Sequence, residues 1–66
     1  MLAQKVEEML ERRRAIYTAW AKEFGFVPPP EKGGRLILNA YEDEHADDLQ
    51  RADILSEMKW IDEQYR

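Results

Sequence analysis

The seven residues from Glu42 to Asp48 carry five carboxylates and the chain's single histidine, His45. Glu42-x-x-His45 has the i, i+3 spacing that carboxylate-bridged di-metal bundles use to point two ligands the same way. Two copies of the chain, each adding Glu23, would supply the usual ligand number. The same spacing arises freely in any glutamate-rich helix, and His45 falls on an apolar line, where a packed, hydrogen-bonded histidine is the ordinary outcome. No metal ligand and no cofactor is assigned. Carboxylates in the first turns of a helix also complement its macrodipole and offer a docking surface to a basic partner. On that reading Glu42, Asp43, Glu44, Asp47 and Asp48 form a partner-binding face.

A second acidic pattern, Glu7-Glu8-x-x-Glu11 with a later Glu44-x-x-Asp47, resembles the carboxylate motif of all-α nucleotide pyrophosphohydrolases of the MazG-like family. The resemblance implies Mg²⁺ held by these acids and, through it, the phosphates of a nucleotide. It covers these five residues only. The stretch from Glu11 to Glu44 is long for that family, and Glu8 and Glu11 point away from the apolar face of their helix.

Nucleophilic catalysis has no support. Ser56 and His45 are the only residues of their types, and eleven residues of helix hold them about 16 Å apart. The basic residues Lys5, Arg12, Arg13, Arg14 and Lys22 scatter round a helical wheel and form no stripe, so no nucleic-acid binding is expected. Arg13 lies at the centre of the apolar face. Its stem is expected along the core and its head on an acid such as Asp53 or Glu57, or one from a second subunit; Arg12 and Arg14 are expected to be exposed.

These residues need elements to hold them. Every glycine and proline falls in residues 25–34. Three prolines end a helix and favour an extended path, and the glycines allow a change of direction. Before the break, residues 2–24 read as one helix, with Leu2, Val6, Met9, Leu10, Ile16, Tyr17, Trp20 and Phe24 recurring at three- and four-residue steps. After it, a second helix is expected over about 36–65. The fold class predicted is all-α, a single domain built as an antiparallel two-helix hairpin. Trp20 and Phe24 should approach Ile37, Tyr41 and His45 near the loop, and Leu2 and Val6 should approach Met58, Ile61 and Tyr65 at the open end.

One pair of helices cannot cover the apolar pattern. In the second helix, Tyr41, His45, Leu49 and Ala52 make one line. Ile54, Leu55, Met58, Ile61 and Tyr65 make another, rotated by about 130° on an ideal helix. A kink near residues 50–54 would relieve the conflict, but no glycine or proline is there to cause it. A second copy would cover the surplus as a homodimeric four-helix bundle, with Arg13, Leu55, Met58, Ile61 and Tyr65 at the self-association surface. Trp60 leaves its neighbours' line and reads as an interface anchor.

Length and charge point the same way. A 66-residue chain with no cysteine has neither the core nor the cross-links that usually stabilise so small a monomer. Its net charge of −4 is split, +2 over residues 1–35 and −6 over 36–66, which argues against nucleic acid as a partner. No apolar run is long enough to span a bilayer, and no signal segment precedes the first charges; the chain is read as cytoplasmic. The function expected is non-enzymatic: a small regulatory, adaptor or inhibitory interaction module, of the size common among phage and mobile-element products. A metal-dependent all-α enzyme is the alternative.

Overall fold

The computed structural model describes residues 2–65, with side chains from Gln4 onward. It is all-helical: α1 spans Leu2–Phe24, α2 Arg35–Glu44 and α3 Ala46–Gln64. The first helix and the break after it fall where the residue pattern places them. The expected second helix is two, interrupted at His45.

Helix α1 stops because Gly25 takes a φ of +78°, open to glycine at no steric cost. The N–H groups of Gly25 and Phe26 both donate to Ala21 O, at 2.9 and 3.1 Å, so the turn closes on one carbonyl of the last helical turn.

The proline segment then does more than break the helix. Pro28, Pro29 and Glu31 lie beside Ala15, Thr18, Ala19 and Lys22, and Arg14 donates to Gly33 O at 2.5 Å. The chain therefore runs back along α1 from Gly25 to the level of Arg14. Eight residues at about 3.1 Å each are ample for the ~17 Å of helix axis between those levels. A stiff extended segment is a return strut, and α2 begins partway back along α1.

From there the chain moves forward again. Arg13 and Tyr17 meet Glu42, and Glu23 meets Lys59 at 2.6 Å. Rising numbers on α1 meet rising numbers on α2 and α3, so the observed contacts run in the same direction where the hairpin reading has them opposed. Met58 and Ile61 flank Lys59 at the Glu23 end of α1, about 25 Å along the axis from Val6, too far for the expected contact. The contact expected of Leu2 lies outside the described side chains.

The interruption at His45 (φ −115°, ψ 26°) has neither glycine nor proline behind it. Its N–H still donates to Tyr41 O and its carbonyl still accepts from Leu49 N–H, both at 2.9 Å. A straight rod crossing α1 touches it once. Bent at His45, the same residues meet it on both sides, through Tyr41 against Tyr17 before the bend and Leu49 and Asp53 beside Trp20 after it.

Among the described residues little is buried: Ala21, Pro29, Leu38, Tyr41 and Ala52, with the stem of Arg14 among them. The Cα radius of gyration is 13.4 Å, against about 11 Å for a compact chain of this length. Among the described residues, no helix is long and apolar enough to cross a membrane.

Candidate interaction surface

The polar junction between α1 and α2 is built around Glu42. One carboxylate oxygen accepts from Arg13 Nη2 and the other from the Tyr17 hydroxyl. Arg13 and Tyr17 are one helical turn apart, so they straddle the carboxylate from one face. Arg13 Nη2 also lies 3.3 Å from Asn39 Oδ1. Arg13 thus finds its acid on α2 and within the chain, not at Asp53 or Glu57. Glu42 is turned inward and its oxygens are occupied.

An aromatic row continues from this junction. The rings of Trp20 and Tyr17 are 6.0 Å apart, Tyr17 and Tyr41 6.1 Å, and Tyr41 and His45 4.6 Å. Trp20 sits over the first turns of α3, beside Ala46, Leu49 and Asp53, so Tyr17 takes the place beside Tyr41 expected of Trp20. The Tyr41 hydroxyl donates to Val27 O at 2.5 Å, tying α2 to the strut. Burial, and then the bond to Glu42, hold the Tyr17 phenol above its ordinary value. Burial also raises Tyr41, followed by the negative charge of Asp48. Both phenols are held in their neutral, hydrogen-bonded form.

Arg14, expected to be exposed, is only 8% exposed. Nη1 pairs with Glu11, Nη2 reaches Gly33 O, and Nε is left without a partner. Glu11, three residues back on the same helix, is the one partner local spacing could have pointed to; the Gly33 carbonyl depends on the return path of the strut. Tyr17 carried no signal beyond its place on the apolar face.

The five acids of the expected docking face divide. Glu42 is internal. Asp48 Oδ2 lies 3.6 Å from His45 Nδ1 and is partly covered. Asp43, Glu44 and Asp47 are exposed. The acids of the di-metal and pyrophosphohydrolase patterns stay apart: Glu7, Glu8 and Glu11 line the outer side of α1, Glu44 faces the strut, and Asp47 lies on the outer side of α3. Among the described residues, no three His, Cys, Asp or Glu side chains group as metal ligands would.

The apolar residues of α3 also divide. Ala52 is fully buried, and Leu49 and Ser56 are partly covered. Trp60 continues that inner line at helical spacing, yet is 59% exposed, because α1 ends near Lys59 and has nothing left to lay over it. Ile54, Leu55, Met58, Ile61 and Tyr65 stand on the outer side, all exposed. Comparison with protein-family models, curated proteins and solved structures finds no match to this chain.

Proposed function

We propose that this chain is a non-enzymatic protein-interaction module that works as a homodimer. One observation carries the reading. The chain exposes 5648 Å², whereas a folded monomer of 7.9 kDa is expected to expose about 4,400 Å². The surplus, about 1,200 Å² on that scaling, exceeds the roughly 800 Å² per partner of a standard interface. It is rich in large apolar side chains, among them Val6, Met9, Ile54, Met58, Ile61 and Tyr65. Water contact on that scale is removed by a second protein surface. A four-helix arrangement of two copies, with Leu55, Met58, Ile61 and Tyr65 between them, meets the need; Arg13 contributes by holding α2 in place.

The remaining surface suits an outside partner. Asp43 and Glu44 are exposed carboxylates at the end of α2, and Trp60 is an unshielded aromatic of the kind that anchors interfaces. A regulatory, adaptor or inhibitory role toward a protein with a basic surface follows from that pairing, in the cytoplasm expected of a cysteine-free chain.

Light-scattering mass of the purified protein, run beside a nucleoside-triphosphate turnover assay with Mg²⁺, tests the reading. Twice the chain mass and no pyrophosphate release are expected. A monomer that turns over nucleotides would replace this reading with the enzymatic one.

A further inference from the structure

The exposed side of α3 has a finer order than an apolar patch. Asp47, Arg51, Ile54, Met58, Ile61 and Tyr65 follow one another at steps of four, three, four, three and four residues. That is the 3.5-residue period of a two-stranded coiled-coil seam. Its apolar members are open, Ile54 at 52%, Met58 at 60%, Ile61 at 44% and Tyr65 at 85%. On the opposite side of the helix Ala52 is fully buried, so the seam faces away from α1 and α2 and nothing among the described residues covers it.

The seam also carries a seat. Asp47, Gln50, Arg51 and Ile54, with Leu55 at the edge, line a shallow depression of about 290 Å³ on this side. Residues i, i+3, i+4 and i+7 are the four that form the hole for one knob of a facing helix. The volume falls just below the usual range for small-molecule pockets, which fits a side chain better than a ligand.

We infer that α3 pairs with α3 of a second copy, antiparallel and in one register centred on residue 56. This rests on the homodimer reading above and specifies its interface. The charges choose the direction. A parallel pair sets Asp47 against its own copy and Arg51 against its own copy inside the seam. The antiparallel register sets Asp47 opposite Tyr65 of the second copy, Arg51 opposite Ile61 and Ile54 opposite Met58. All six positions then have a partner, Leu55 meets its own copy beside the axis, and the charged pair moves to the ends. The two helix dipoles oppose each other, which favours the same direction. The occupant is a second copy because the surface the chain leaves uncovered exceeds one side of a standard dimer interface, and because the register is self-complementary, as a two-fold interface must be.

The chain has no cysteine, so one substitution places one spin label. Gln50, Glu57 and Gln64 share a flank of the seam and are all exposed. In the inferred register, a residue and its copy are offset along the axis by about 3 Å at position 57, about 18 Å at 50 and about 24 Å at 64. Glu57→Cys, Gln50→Cys and Gln64→Cys, each labelled and measured by pulsed dipolar spectroscopy with mass determined alongside, read this directly. A short distance at 57 with much longer ones at 50 and 64 is expected. Equal distances at all three would overturn the antiparallel register. A dimeric mass with no close approach at 57 would place the interface elsewhere, and a monomeric mass would overturn the homodimer reading itself.

Discussion

Tyr17 donates its hydroxyl proton to Glu42, while Arg13, one turn earlier, holds the other oxygen of the same carboxylate. This clasp joins the middle of α1 to α2 and fixes where the chain re-engages the first helix. Removing one donor has a modest cost: Tyr17→Phe should destabilise the protein by about 1 kcal/mol, and Glu42→Ala, which strands both donors, by about 2 kcal/mol. Denaturant titration of the two variants checks the order. Equal stability of both with the parent would mean that the clasp holds nothing.

The phenol groups give the clasp a pH signature. Tyr17 is held above its ordinary value by burial and then by Glu42, and Tyr41 by burial and then by Asp48. As pH rises through the unfolded value of about 10, the unfolded chain releases these protons first and binds fewer than the native one, so stability falls. Lys59, raised by its bond to Glu23, acts in the same direction. The denaturation midpoint should drop as pH climbs past 10, and less steeply in a Tyr17→Phe, Tyr41→Phe variant. A midpoint that holds or rises there would contradict the burial of these rings.

Two glycines do different work in the strut. Gly25 has a φ of +78° and nothing within 4 Å of where a Cβ would stand, whereas Gly33 has a φ of +133° and would place a Cβ 2.9 Å from Ile37. Gly25→Ala meets only the left-handed backbone cost, about 1 kcal/mol. Gly33→Ala adds a collision with the first turn of α2 and should be clearly worse, by about 1–3 kcal/mol more. Thermal melts of the pair rank them. The reverse order would mean that the strut does not pass beside Ile37 as described.

Leu38 and Ala52 test the core from opposite sides. Leu38 is 1% exposed and Ala52 0%. Leu38→Ala should cost about 2–5 kcal/mol, enough to unfold much of a chain with so few buried residues. Ala52→Leu overfills a fully buried position on the inner side of α3 and should cost about 1–3 kcal/mol. Helical circular dichroism with urea reads both. Full tolerance of Ala52→Leu would place the close approach of α3 somewhere else.

Much of this architecture was legible in the residues because local chemistry determines it. The apolar steps of α1, the glycine at its end and the proline run each act through a few neighbouring residues, and α1 and the break fall where these place them. The bend at His45 was not legible, since no helix-breaking residue causes it and it comes from two contacts with α1 at once. Nor was the return path. Three prolines predict stiffness, but whether a stiff segment turns the chain or carries it backward depends on what Arg14 and Tyr41 can hold. Arg13 was expected to reach Asp53, Glu57 or an acid of a second subunit, and reaches Glu42 of its own chain instead. Its partner Glu42 looked like one of five similar carboxylates, and only the fold separates the one that faces inward. The apolar members of the outer line on α3 stood out in the residues, whereas Asp47 was read as part of an acidic docking face and Arg51 carried no signal.

The central claim is that folding and pairing of this chain are coupled, because one copy leaves too much apolar surface in water. Melting temperature measured over a wide range of protein concentration tests it most directly. A melting temperature that climbs steadily with concentration is expected, and a Met58→Glu variant that melts lower and loses the dependence. A cooperative melt at one temperature across the whole range, unchanged by Met58→Glu, would contradict it.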